Sequence, residues 1–167
     1  ITLWAWGGLG ALAVSAADTW ATEIGVLAGW APRMLLRRTY VTAGMSGGVT
    51  LPGILGAFAG AASVAALGSA AGFPRGATLA AVVAGWAGAM IDSLLGATIQ
   101  QRRRCDRCAE DTELLVHPCG APTRHIAGLH WVNNDVINVL ATLAGFFLSA
   151  ALYLVVVGPF SRSAGVQ

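Results

Sequence analysis

Apolar residues run almost without interruption through four stretches, roughly 3–30, 49–72, 77–99 and 131–157, and polar residues gather between them. Each stretch is long enough for a membrane-crossing helix, which needs about 20 predominantly apolar residues. The pattern predicts an all-α, polytopic integral membrane protein with about four transmembrane helices in one domain, residues 1–160, and a polar tail at 161–167. The first connection carries Pro32, Arg33, Arg37, Arg38 and Tyr40 and ends in Gly44 to Thr50. Phe73-Pro74-Arg75-Gly76 is a short turn, and residues 101–130 form the one long polar connection. In the second stretch Gly56 and Gly60 make a small-xxx-small pair, which lets a neighbouring helix approach closely.

Composition agrees with this reading: 56% hydrophobic residues, 22 glycines and 11% charged residues exclude an ordinary soluble domain. Val14-Ser15-Ala16-Ala17 mimics a signal-peptide cleavage site. No basic segment precedes it and the apolar run continues past it, so a cleaved leader is rejected. A chain starting at Ile1 without methionine is expected to be part of a longer protein with further N-terminal helices.

The distribution of charge sets the orientation. All ten basic residues are arginine. Eight of them (Arg33, Arg37, Arg38, Arg102, Arg103, Arg104, Arg107, Arg124) fall in the connections after the first and third stretches, against Arg75 and Arg162 on the other side. By the positive-inside rule the long connections are cytoplasmic.

Polar residues inside the apolar stretches are the candidates for chemistry. The segment from Ala17 to Gly25 sets Asp18, Thr19, Thr22 and Glu23 in an apolar run, and Asp92 repeats the anomaly in the third stretch. An ionisable group at the bilayer centre costs roughly 2.5–3.5 kcal/mol on insertion scales, so it faces a cavity, a partner charge or an ion. The plainer alternative is that these acids only pair with arginines or hydroxyls on neighbouring helices. Depth read from sequence position puts Asp18 to Glu23, Asp92, Ser46 to Thr50, and Asn133 to Asn138 toward the same leaflet. Convergence from four elements is expected of a cytosol-facing pocket. Asp18, Glu23, Asp92 and Asp135, with Asn134 or Asn138, offer the oxygen ligands that Mg²⁺ prefers. Ser46-Gly47-Gly48-Val49-Thr50 precedes a helix, where free amides and the dipole favour a phosphate. Asp18 and Glu23 lie about 140° apart on a regular helix, so they serve one ion only if the helix distorts, or else take separate roles.

The cytoplasmic connection holds a second constellation, Cys105-Asp106-Arg107-Cys108 followed by His117-Pro118-Cys119. Cys105, Cys108, His117 and Cys119 supply a zinc-type ligand set, although the spacing matches no standard finger; reduced, unligated thiols are the alternative. His125 and His130 read as loop or interface residues, and Trp4, Trp6, Trp30 and Trp131 as interfacial anchors.

Four motifs taken together, Ala17 to Gly25, Ser46 to Thr50, Ile91 to Gln100 and Trp131 to Asn138, resemble in order those of the transmembrane protein 19 family, also called the domain of unknown function 92 family. The Cys/His loop looks like that family's loop. The family includes a plant chloroplast phytyl-phosphate kinase, and its acid-rich helix and small-residue loop are similar to those of phytol kinase, dolichol kinase and CTP-dependent phosphatidate cytidylyltransferases. The resemblance implies phosphoryl transfer from a nucleoside triphosphate, thought to be CTP, to an isoprenoid monophosphate within the membrane. Asp18, Glu23, Asp92 and Asp135 would then hold Mg²⁺ and the nucleotide phosphates, and Ser46, Gly47 and Gly48, with Thr50, would cradle a phosphate. Arg37 and Arg38 would balance triphosphate charge, with Asn134 and Asn138 beside them. The expected partners are a membrane lipid or prenyl phosphate and a nucleoside triphosphate; nucleic acid is not among them, and self-association stays open. In a plastid the active face would be stromal. Competing readings are an ion-coupled transporter using the same acids and a non-catalytic scaffold.

Overall fold

The computed structural model describes residues 3–36 and 39–163, and in the last helix it describes side chains as far as Val155. Arg37, Arg38, the side chain of Arg162 and residues 164–167 of the expected tail lie outside the described residues. Four long helices dominate: α1 (Leu3–Leu27), α2 (Leu51–Ala70), α3 (Arg75–Thr98) and α4 (Asn134–Ser163). Their bounds fall within a few residues of the apolar stretches, except that α4 carries on into the expected tail. Three of them, α2, α3 and α4 over Asn134–Val155, are long and apolar enough to cross a membrane. Helix α1 has the length, but its tryptophans, glycines and two acids dilute its hydropathy.

Helix α1 packs against each of the other three helices. The core between them is built of alanine: Ala13 and Ala17 of α1, Ala57 and Ala61 of α2, and Ala77, Ala81, Ala84 and Ala89 of α3 are almost fully buried. Large side chains point outward, among them Leu12, Leu55, Phe58, Leu67, Leu79 and Phe147. In lipid no hydrophobic drive brings helices together, so association rests on close backbone approach, and small residues line the contact. The Gly56/Gly60 pair serves this role. A Cβ at Gly60 would sit 2.6 Å from the Ala16 carbonyl oxygen and 3.1 Å from Ala17 Cα, and one at Gly56 would sit 2.8 Å from the Trp20 carbonyl oxygen. The α1–α4 seam is similar: Ser149 Oγ, fully buried, donates to the Trp6 carbonyl at 3.0 Å. Of the expected interfacial tryptophans, Trp4, Trp30 and Trp131 are exposed, whereas Trp6 packs on Tyr153.

The purely helical expectation misses two small sheets at one end of the bundle. Strands β1 (Arg33–Met34) and β2 (Gly48–Val49) pair antiparallel and close the connection between α1 and α2. The long polar connection folds into an antiparallel three-stranded sheet, order β4-β3-β5, from β3 (Arg102–Cys105), β4 (Glu110–Thr112) and β5 (Arg124–Ala127). These strands are too short and too polar to show an alternating pattern, so periodicity could not reveal them. Arg103 ties the sheet together, donating to Thr123 Oγ1 at 2.8 Å and to the Thr123 carbonyl at 2.6 Å. The sheet is anchored to the bundle where the Leu129 amide donates to the Ile99 carbonyl (2.9 Å) and the Gln101 amide to that of Val132 (2.8 Å).

Candidate functional site

A cavity of about 550 Å³ opens among α1, α3, the Ser46 loop and the start of α4. Its walls carry Asp18, Thr19, Thr22 and Glu23 of α1, Asp92 and Ser93 of α3, Ser46 to Thr50, Asn134, and Glu113 from the polar connection. The convergence expected from depth is therefore present. Four carboxylates face one space, and among the described residues no basic side chain lines it. Arg102 comes near, its guanidinium 3.6 Å from Sδ of the lining residue Met45, without reaching the wall. Asp92 stands out because it is 8% exposed and its Oδ2 has no hydrogen-bond partner. A buried carboxylate oxygen without a donor is costly, and either a proton or a hard cation would relieve it.

Asp18 and Glu23 both line the cavity, Asp18 half-buried and Glu23 exposed, so two faces of α1 reach it because the cavity wraps around that helix end. Asp135 and Asn138 do not line it. Asn133 explains why: its Oδ1 accepts from the Val136 amide at 3.0 Å, which starts α4 at this point. Asn134 then turns toward the cavity, while Asp135 is exposed in the first helical turn, where a carboxylate complements the helix dipole.

At the start of α2, where a phosphate seat is expected, most helix amides are already engaged. Pro52 has no amide hydrogen, the Gly53 amide donates to Thr50 Oγ1 at 3.1 Å, and the Ile54 amide donates to the Thr50 carbonyl at 2.9 Å. Thr50 is thus the N-cap, and few helix amides remain for an anion. Gly47 is required by packing: its φ is +80°, and a Cβ would lie 2.5 Å from the Ala97 amide nitrogen of α3. The Ser46 loop is seated on the last turn of α3, with Gly47 and Gly48 forming its cavity side.

Glu113, which sequence reasoning missed, holds that loop. The Ser46 amide donates to Glu113 Oε1 at 2.8 Å, and Gln100 Nε2 donates to Glu113 Oε2 at 2.7 Å and to Ser46 Oγ at 2.9 Å. Gln100 is 2% exposed, so the network is buried on that side. A carboxylate already occupies one of the amides expected to meet phosphate. Every acid of the polar connection has a distinct partner: Asp106 pairs with Arg124, Glu110 with His117, Asp111 with Arg104, and Glu113 with the Ser46 loop.

The Cys/His constellation also assembles. One ligand atom from each of Cys105, Cys108, His117 and Cys119 lies within 4.8 Å of all the others. The Ala121 amide, then His117 and Cys108, hold the Cys119 thiol down at about 6. Hydrogen bonding to Cys119, then desolvation, pushes Cys108 up to about 11. His125 and His130 stand apart from this cluster and stack on each other, ring centroids 3.7 Å apart.

Comparison with known proteins bears on the whole arrangement. The family model described as integral membrane protein DUF92 matches residues 1–146. Protein PGR of Arabidopsis thaliana is 30% identical over 162 residues, an alignment covering 89% of this chain and 55% of that protein. The chain therefore spans about half the length of this curated relative. No solved structure matches. The motif resemblance and the family match agree, and the chain belongs to the integral membrane protein family DUF92, to which the transmembrane protein 19 group corresponds.

Proposed function

We propose that this protein is an integral-membrane isoprenoid-phosphate kinase. It transfers a phosphoryl group from a nucleoside triphosphate, with CTP the first candidate, to an isoprenoid monophosphate such as phytyl phosphate. The observation that carries the proposal is the cavity with four carboxylates, no described basic lining residue, and a buried Asp92 oxygen lacking a partner. Such a site is complementary to divalent cations and, through them, to phosphates. Asp92, Asp18 and Glu23 would hold Mg²⁺, whose chemistry is to neutralise phosphate charge as the phosphoryl group transfers. Ser46, Ser93 and Asn134 supply neutral hydrogen bonds around the substrate phosphates. Glu113 keeps the Ser46 loop against α3.

Helix α1 is the fourth span in this reading, because it packs against all three apolar helices and exposes Leu12 outward. The lipid tail would lie along the alanine- and glycine-rich helices. The cavity end carries the arginine-rich connections, which argues for a cytoplasmic active face, or a stromal one in a plastid.

The test is transfer of labelled γ-phosphate from CTP, and separately from ATP, to phytyl or geranylgeranyl monophosphate by the purified full-length protein with Mg²⁺. Diphosphate formed by the wild type and not by Asp92→Asn supports the reading and selects the nucleotide. Folded protein that forms no diphosphate with either donor refutes it. The same unpartnered Asp92 oxygen favours an ion-coupled carrier as the second reading, which cation-dependent flux in proteoliposomes would establish.

A further inference from the structure

We propose that Cys105, Cys108, His117 and Cys119 bind one structural Zn²⁺, and that this metal fixes the polar connection so that Glu113 reaches the Ser46 loop.

Ligand identity, spacing and environment all argue for it. Cys105 ends β3 and Cys108 lies in the turn of the β3–β4 hairpin, in which Cys105 pairs with Glu110. Within that turn Ala109 has φ +57°, a left-handed conformation unfavourable for a residue with a Cβ. His117 and Cys119 come from a second tight turn, closed where the His117 amide donates to the Ala121 carbonyl at 2.9 Å and the Gly120 amide to that of His117 at 2.8 Å. The Sγ atoms of Cys105 and Cys119 are 3.7 Å apart. Two thiolates at zinc–sulfur bonds of about 2.3 Å in a tetrahedron stand about 3.8 Å apart, so this pair already stands at a ligating separation.

The surroundings are those of a ligand shell. His117 Nε2 lies 3.2 Å from Glu110 Oε2, while its Nδ1 faces Cys119 and accepts from the Cys119 amide in a long contact of 3.4 Å, which metal ligation would replace. A metal-bound histidine commonly donates its other ring N–H to a carboxylate, so Nδ1 is assigned to the metal and Nε2–H to Glu110. Three thiolates on Zn²⁺ leave one net negative charge, and the Arg107 guanidinium sits 3.4 Å from the Cys119 carbonyl. Cys105 is fully buried, whereas Cys108 is exposed. The connection to the cavity is direct: Glu110 begins β4, and Glu113 follows its end. This inference stands apart from the kinase reading, and its test needs no turnover.

The test is metal analysis of the purified full chain, with cobalt substitution and hydrogen exchange. Wild type should carry about one zinc per chain, and cobalt-loaded protein should show the intense visible bands of a tetrahedral thiolate site. His117→Ala should lose the metal, while the ligating variant His117→Cys should keep it, which separates lost ligation from misfolding. Glu110→Gln should weaken zinc affinity about tenfold or more. Chelation should speed exchange of the Ser46 amide. Background zinc in folded wild-type protein, with Cys108 and Cys119 freely reactive, overturns the metal site. Bound zinc whose removal leaves Ser46 exchange unchanged overturns the link to Glu113.

Discussion

Replacing Glu113 by alanine isolates the contact on which the cavity's loop depends. The wild-type carboxylate accepts from the Ser46 amide at 2.8 Å and from Gln100 Nε2 at 2.7 Å, and each hydrogen bond to a charged group contributes about 1.5–3 kcal/mol. The two losses are unequal. The Ser46 amide borders an open cavity, where water can replace the carboxylate, so its share falls toward the lower end. Gln100 is 2% exposed and keeps only its contact to Ser46 Oγ at 2.9 Å. The net expectation is a destabilisation of about 2–4 kcal/mol for Glu113→Ala. Glu113→Gln should cost about 1 kcal/mol, because one oxygen still accepts from Ser46 and Gln100 can rotate to offer Oε1, which has no partner in the wild type. Denaturant unfolding in detergent, followed by tryptophan fluorescence, measures both, and hydrogen exchange reads the Ser46 amide directly. Equal stability of the alanine variant and wild type, with Ser46 still protected, would refute the assigned network.

Further outcomes follow from the same geometry. Asp92→Asn should abolish divalent-cation binding at the cavity, read by Mn²⁺ titration, while the helical signal by circular dichroism stays unchanged; retained binding sinks the assignment. Gly60→Ala should cost about 1–3 kcal/mol by overpacking against the Ala16 carbonyl and Ala17, checked by thermal unfolding in detergent. Asp135→Asn should lose no more than about 1 kcal/mol of stability, from the helix dipole, and leave cation binding intact, since Asp135 does not line the cavity. In metal-free protein at pH 7, Cys119, held down at about 6, is mostly thiolate, and Cys108, raised to about 11, stays protonated. Iodoacetamide should therefore label Cys119 first and slow as pH falls through 6, with mass spectrometry giving the order.

The four helices were legible because each is a mostly apolar run of about 20 residues or more, a length that few alternatives explain. Asp18 and Asp92 were legible for the converse reason, since a charge in an apolar run has few explanations. Asp135 shows the limit of that logic. It belongs to a motif and sits at the correct depth, but one residue along a helix turns a side chain by about 100°, and the Asn133 cap fixes the phase that turns Asp135 away. The glycines of the Ser46 loop carried an ambiguous message. Gly47 is demanded by its φ of +80° and by contact with Ala97, needs that a sequence cannot separate from phosphate binding.

Glu113 was illegible for a different reason. It sits among Asp106, Glu110 and Asp111 in a polar connection, where an acid is unremarkable, and only the fold distinguishes the one facing the cavity. The distinction comes from partners: arginines take Asp106 and Asp111, His117 takes Glu110, and Glu113 is left for an amide and a buried glutamine across the bundle end. A site placed where helices meet a folded connection thus draws its charges from two environments. Inside the apolar stretches each acid is conspicuous because lipid makes it costly. In the connection water removes that cost, and the signal goes with it. Gln100 lies at the junction, the first polar residue after α3 and 2% exposed, and once its burial is known it points to the missing partner. A buried side-chain amide must find partners, and the only nearby segment rich in acceptors was the polar connection that follows it.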